Sequence, residues 1–455
     1  MTGVQQFVDN NLERFISELT ELLKIPSIST LPENTGDIVK CADFVVERLR
    51  EAGLNNITVY PTKRHPVVYA EWLELKDAPT VLIYGHYDVQ PVDPVELWST
   101  PPFEPVIKDG KIYARGATDD KGQMYMHIKS VETLLKTTGT LPVNVKFLIE
   151  GEEEIGSPNL EEFLTQKKEM LKADAVLVSD TALFETGLPT ITYGLRGLAY
   201  MQVDVEGPNR DLHSGTYGGA VPNPINLLAE MIAKLHDENG KVTIPGFYDD
   251  VVQLTQAERD NFKKLNFNLD RYKESIGIND IYGEAGYTTI ERAGARPTLD
   301  CNGIWGGFAG SGAKTVIPSK AGAKISMRLV PNQDHKKIAE LFTKYIYEIA
   351  PPALKVTVQD LHGGPAAMVP IDNPVIKAAS NAMSKAFGKD TVYTREGGSI
   401  PIIASFQRIL EAPAVLMGLG LNTENLHSPN EHFDLGNFRL GILCSAYFLQ
   451  EFGKK

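Results

Sequence analysis

Three short apolar runs, each ending in an imidazole or a carboxylate, constrain this chain most. Val81–Tyr84 and Ala175–Val178 are uninterrupted, and Val143–Ile149 admits only Asn144 and Lys146. Gly85-His86 follows Val81–Tyr84, Glu150 follows Val143–Ile149 and Ser179-Asp180 follows Ala175–Val178. Apolar runs of this length without a wet alternate face read as strands buried on both sides. Lys121–Thr137 and Asn159–Leu171 lie between them at helical spacing. Strands alternating with helices predict a largely parallel sheet covered on both faces, an α/β fold. Ahead of it, Phe7, Leu12, Phe15, Ile16, Leu19, Leu22 and Leu23 mark a helix that stops before Pro26. A second helix is expected from about Asp37 to Glu51, closed by Gly53.

The pattern changes near Gly194. Leu198–Glu206 alternates like a strand with one wet face, and Pro222–His236 reads as a helix. A polar, poorly periodic stretch runs from Glu238 to about Arg296. Lys324–Leu329 and Leu354–Gln359 are further strand candidates, and from Asn373 the first rhythm returns. The expected organisation is one α/β domain in two parts, residues 1–195 and 373–455, interrupted by an α+β domain at 196–372. Hydrophobic residues make up 42% of the 455, which suffices for a sizeable core. A net charge of −13 argues against nucleic acid and anionic membranes as partners. The N-terminal stretch is amphipathic and acidic, unlike a signal peptide, and no run is long enough to span a membrane. Cys41, Cys301 and Cys444 are far apart and form no C-x-x-C pair. Free thiols in a reducing compartment, hence a cytoplasmic protein, are expected.

Five segments carry candidate chemistry. Tyr84-Gly85-His86-Tyr87-Asp88-Val89 offers an imidazole with a carboxylate two residues on, suited to hold the other ring nitrogen. Ala114 to Gly122 contains the acid pair Asp119-Asp120 before a helix, where acids also serve as caps. Glu150-Gly151-Glu152-Glu153-Glu154-Ile155-Gly156 crowds carboxylates whose mutual repulsion asks for a cation. Ser179-Asp180 and Leu426-His427-Ser428-Pro429-Asn430-Glu431 complete the set. Alone, each is more often structural or solvated than functional. Together they put acids or imidazoles at three successive strand ends, where one parallel sheet converges its ligands. No His-Glu-x-x-His occurs, so a metal site must be assembled from distant segments. Two decoys lie in the inserted region. Gly307 to Thr315 departs from the P-loop spacing by one residue. Ser311-Gly312-Ala313-Lys314 fits S-x-x-K without a K-T-G partner. His65, His127, His236, His335 and His432 read as structural or surface.

The ordered motifs G-H-x-D-V, R-G-x-T-D-D-K-G, E-G-x-E-E-x-G-S, S-D and H-S-x-N-E resemble the co-catalytic metallopeptidases, a family that includes succinyl-diaminopimelate desuccinylase and aminoacylase. The resemblance spans nearly the whole chain. It is nearest to the carnosinase and cytosolic non-specific dipeptidase group, through Asp211-Leu212-His213-Ser214-Gly215, Gly306–Pro318 and Arg395-Glu396-Gly397-Gly398-Ser399-Ile400-Pro401. It implies that Asp119 bridges two divalent metals, zinc or manganese, with His86 and Asp180 on one and Glu154 and His427 on the other. It implies Glu153 as general base, Asp88 as the residue orienting His86, and a cis peptide between Asp119 and Asp120. Metals so held would lower the pKa of water from 15.7 to about 7, and Glu153 would take its proton. Asp180 rather than Glu leans toward substrates with a free amino end.

For the inserted domain the resemblance implies a lid and dimerisation role in a homodimer. His213 would act as oxyanion donor in the partner's site, although a lone loop histidine is more often inert. Thr315, Arg328 and Ser399 match substrate-binding positions. Arg suits a carboxylate because its planar fork binds two oxygens. His362 is a further candidate. The expected activity is hydrolysis of dipeptides or other short peptides. The alternative is a related amidohydrolase acting on N-acyl amino acids.

Overall fold

The structure is a computed structural model and describes residues 3–398 and 400–454. These form two compact units. One comprises the chain up to Tyr193, Val369–Thr394 and the chain from Ile402; the other is Gly194–Met368 with Arg395–Pro401.

The first unit is built on four parallel strands in the spatial order Asn144–Glu150, Thr80–His86, Ala175–Val178, Ala414–Leu416. Val67–Trp72 and then Asn55–Tyr60 extend one side antiparallel, and Thr190–Leu195 joins the other side antiparallel. Along Thr80–His86, Val81 and Ile83 enter the same apolar core as the helices Gly3–Leu23, Thr35–Ala52, Lys121–Thr138, Pro374–Phe387 and Leu435–Phe452. Tyr84 points the other way, its ring 5.1 Å from that of Phe406. This two-sided burial is why these strands carry almost no polar residues.

The two polar interruptions in Asn144–Glu150 have partners. The Asn144 side chain exchanges hydrogen bonds with the backbone of Leu75, at 3.1 and 2.9 Å. The Lys146 ammonium donates to the carbonyls of Met170 and Lys172, each at 2.7 Å. That contact goes with a departure from the expected single helix at Asn159–Leu171. The backbone leaves helical geometry at Lys167 (ψ 18°), giving Leu160–Gln166 and Lys168–Leu171, whose last carbonyls are then capped by Lys146.

Lys121–Thr138 is the central helix, buried from Lys121 through Leu134. Its first residue anchors the opening helix: Lys121 Nζ donates to the carbonyl of Ile25 at 2.6 Å, just past the end of Gly3–Leu23. A cation there also complements the helix dipole. Lys129, fully buried, pairs with Glu18 and with Glu132 at 2.8 Å.

The second unit holds an antiparallel sheet ordered Thr298–Gly306, Lys320–Leu329, Gly197–Glu206, Lys355–Gly364. Ala199, Met201, Val203 and Val205 alternate into a core with Leu228 of helix Pro224–Ala233 and Ile338 and Phe342 of helix His335–Ile349. The stretch that periodicity leaves unassigned contains three short helices, Gln256–Lys263, Leu269–Ile276 and Thr289–Gly294. Reciprocal capping boxes start two of them, Thr255 with Glu258 and Thr288 with Glu291.

His127, on the central helix, is fully buried and bonded through both ring nitrogens, to Ser445 Oγ and Ser179 Oγ at 2.9 Å each. Burial pulls its pKa down to about 3 from 6.5. The unfolded chain therefore takes up this proton first. The contribution of neutral His127 is intact above pH 6.5 and is lost as pH falls toward 3, by about 1.4 kcal/mol per pH unit. Chemical denaturation of chelator-treated protein between pH 6.5 and 4.5 should show a shallower loss for His127→Gln by that slope. Parallel curves for the two proteins would contradict this assignment.

Candidate metal centre

Because the four central strands are parallel, their C-terminal ends share one edge. His86 closes Thr80–His86, and Asp180 lies two residues past Ala175–Val178. Glu153 and Glu154 open a 3-10 turn just after Asn144–Glu150, and His427 sits in the loop beyond Ala414–Leu416. The chain crosses from Thr80–His86 to a strand on one side and then to one on the other. His86 thus stands at the switch point where α/β sheets open a crevice. Asp119 arrives from the loop before the central helix, and the Asp119–Asp120 peptide is cis.

Two triads result. The ligand atoms of His86, Asp119 and Asp180 lie within 4.8 Å of one another, as do those of Asp119, Glu154 and His427. Asp119 is the shared member. Its Oδ1 is 3.3 Å from His86 Nε2 and its Oδ2 is 2.8 Å from His427 Nε2, which is itself 3.3 Å from Glu154 Oε2. Each carboxylate oxygen of Asp119 therefore faces a different triad.

The electrostatics fit divalent cations at both triads. Burial, then the Asp119 charge, raises the carboxyls of Asp180 and Glu154. Burial also raises Glu153, with Glu154, Asp119 and Asp88 adding to the effect and His86 opposing it. Burial alone would raise Asp119, but His427 and His86 hold it below the usual range. His427 is pushed up to about 10 by Asp119 and Glu154. His86 Nε2 is buried, faces these acids and has no hydrogen-bond partner among the described residues. An imidazole nitrogen so aimed, amid carboxylates that raise one another, is a donor set that a cation would satisfy.

Supporting contacts fix the donors. The Asp88 carboxylate accepts from the amides of Glu153 and Glu154, at 3.2 and 3.1 Å. Nδ1 of His86 lies nearer the Asp88 carbonyl, at 3.1 Å, than the Asp88 carboxylate, at 3.4 Å. Asp88 thus steadies His86 with its backbone and the acidic turn with its side chain, a second task its spacing does not announce. Gln90 donates to Glu154 Oε2 at 2.8 Å, a contact unforeseen although Gln90 directly follows the His-x-Asp-Val motif. The amide of His86 donates to Asp120.

The remaining candidates lie in the second unit. His213 is exposed, pairs with Val316 across two short strands and caps the following turn, its Nδ1 accepting from the Gly215 amide at 3.0 Å. Thr315 is its neighbour, its carbonyl accepting from Ser214 N. Arg328 lies opposite Leu198, and His362 opposite Tyr200. Leu198 and Tyr200 alternate with the core-facing Ala199 and Met201, so Arg328 and His362 share the sheet face away from the helices. Ser399 lies outside the described residues. The Gly-rich decoy is an exposed loop leading into strand Val316–Ile317, not a helix, so it lacks the P-loop setting. His65 is tied to the Ser29 carbonyl and His432 to Lys111.

An α/β sheet whose C-terminal edge gathers two imidazoles and two further carboxylates around one shared aspartate defines a metallohydrolase. The chain belongs to peptidase family M20/M25/M40, whose model matches residues 82–451, and it is a metallopeptidase of the dipeptidase type. It is 33% identical to the Cys-Gly metallodipeptidase of Schizosaccharomyces pombe, covering 98% of this chain and 97% of that protein. It is 32% identical to the Beta-Ala-His dipeptidase of Homo sapiens, covering 98% and 92%. Among solved structures, an M20 family metallo-carboxypeptidase from Sulfolobus solfataricus superposes with a TM-score of 0.84, at 34% identity over 96% of this chain and 99% of that one.

Removing the shared carboxylate should empty both triads. After loading with excess zinc or manganese and desalting, the wild type should approach two metals per chain by elemental analysis, and Asp119→Ala should approach none with its circular dichroism unchanged. A folded Asp119→Ala protein that still carries one or two metals would contradict the sharing.

Proposed function

We propose that this enzyme cleaves the peptide bond of dipeptides and other short peptides, using two divalent metal ions per chain, zinc or manganese. His86, Asp119 and Asp180 hold one, and Asp119, Glu154 and His427 the other. The observation that carries this reading is the pair of triads sharing one buried aspartate. Metals bound there supply Lewis acidity and bring the pKa of water toward about 7. Glu153 accepts the proton of the attacking water and returns it to the departing amine, a task suited to a carboxyl that burial has raised. Asp88 keeps the Glu153–Glu154 turn and His86 in register.

The unit between Gly194 and Met368 serves as lid and dimerisation domain of a homodimer. There Thr315, Arg328 and His362, with Ser399, bind the substrate backbone and carboxylate. Arg328 suits a carboxylate through its planar fork. His213 stabilises the oxyanion in the partner's site, and its exposed position supports a role outside its own unit. The relatives named for Cys-Gly and Beta-Ala-His substrates support the dipeptide class. The free thiols of Cys41, Cys301 and Cys444 support work in the reducing cytoplasm. No helix among the described residues is long and apolar enough to cross a membrane.

The test is a metal-supplemented assay on dipeptides, tripeptides, longer peptides and N-acetyl amino acids. Dipeptides should turn over fastest; preference for N-acetyl amino acids would overturn the reading. On the best substrate, Glu153→Gln should keep its metals and lose about 10²–10⁴-fold in kcat. Near-normal turnover in the metallated variant would remove Glu153 from the reaction.

His213→Ala should lose about 10²–10³-fold with metal content unchanged. Mixing it with Glu153→Gln subunits should form hybrids in which one site has both wild-type residues. Random exchange makes about half the dimers hybrid, so roughly a quarter of wild-type activity should return. No recovery after verified exchange would rule out action in the partner's site.

A further inference from the structure

The loop that carries His427 also carries Glu431, a carboxylate with no solvent exposure and no part in either triad. Among the described residues, its side-chain hydrogen bonds run to one short stretch, 115–119. Oε2 accepts from Arg115 Nη1 at 2.8 Å and from the Gly116 amide at 2.9 Å. Oε1 accepts from the amides of Thr118 at 3.0 Å and Asp119 at 3.1 Å. The Glu431 carbonyl accepts from Ala114 N as well, at 3.1 Å. One residue thus tethers both ends of the approach to the shared aspartate.

The same contacts reach the other ligand loops. Arg115, 1% exposed, passes its second nitrogen to the Pro91 carbonyl at 3.1 Å, beside Gln90, which holds Glu154. The His427 turn is itself wound tightly, with Asn425, His427 and Asn430 all at positive φ, near 60°. Asn430 pins it, accepting from the Ser99 amide and donating to the Leu97 carbonyl.

We propose that Glu431 is a positioning residue of the metal centre: it locks the Asp119 loop to the His427 loop, so that the bridging carboxylate and the histidine across from it present to one ion together. This rests on the metal-centre reading above. A carboxylate is the one side chain of this size that accepts four donors at once. In Glu431→Gln, the new NH2 must face either Arg115 and Gly116 or Thr118 and Asp119, setting donor against donor in a buried space. Either way the loop that leads to Asp119 loses one of its two anchors, at Arg115 and Gly116 or at Thr118 and Asp119 itself, while every ligand atom remains.

Glu424 provides the control. It is as buried, at 1%, and accepts from Thr118 Oγ1, Leu421 N and Asp434 N, but from no amide of a ligand residue. The full-length wild type, Glu431→Gln and Glu424→Gln would be titrated with manganese, and separately zinc, against a competing chelator. The thermal stability of each metal-free protein would be measured alongside. Both variants should lose stability, but only Glu431→Gln should bind metal more weakly, by about 10–100-fold as for other residues that orient ligands. Should Glu431→Gln fail to fold, Glu431→Asp, one methylene short of the amides, is read the same way. Wild-type affinity in the Glu431 variant, or equal weakening in Glu424→Gln, overturns the proposal. A wild type that binds no metal overturns the metal-centre reading itself.

Discussion

Asp119 is the point on which this architecture turns. Its carboxylate is buried between two imidazoles, with one oxygen 3.3 Å from His86 and the other 2.8 Å from His427. Glu154 and Asp180 complete the two sides. Burial raises the carboxyls of Glu154 and Asp180, and the charge of Asp119 beside them raises them further. A fold tolerates such a cluster when a cation neutralises it. The parallel sheet is the means of gathering the acids: only strands running the same way deliver their following loops to one edge. The antiparallel strands extend the sheet without adding a ligand.

Three sets of contacts support that carboxylate. Asp88 and Gln90 hold the Glu153–Glu154 turn. Glu431 and Arg115 hold the loop of Asp119 itself. Farther back, Lys121, His127 and Lys129 bury polar groups in the central helix and tie it to the opening helix and to the strand before Asp180. Buried polar groups of this kind are tolerated because each has a partner, and partnered networks restrict a core to one arrangement.

Much of this was legible in the sequence because it obeys local rules. The apolar runs before His86, Glu150 and Asp180 could only be buried strands, and a strand end is where a parallel sheet places function. Lys146 was not explicable from its own segment, because the carbonyls that receive its ammonium belong to Met170 and Lys172. The three helices between 255 and 294 were missed for the opposite reason. Their caps at Thr255 and Thr288 are clear T-x-x-E patterns, but the helices are too short and polar for periodicity to reveal. The carboxylate task of Asp88 escaped notice because its partners are backbone amides, which no residue pattern encodes.

The central claim is that Asp119 lies between two metal ions. Anomalous diffraction at the zinc or manganese edge, from crystals of metal-loaded protein, tests it directly. The account predicts two peaks flanking Asp119 and about 3.5–4 Å apart, as in other paired-metal sites. One adjoins His86 and Asp180, the other Glu154 and His427. A single peak, or two that do not share Asp119, would contradict it.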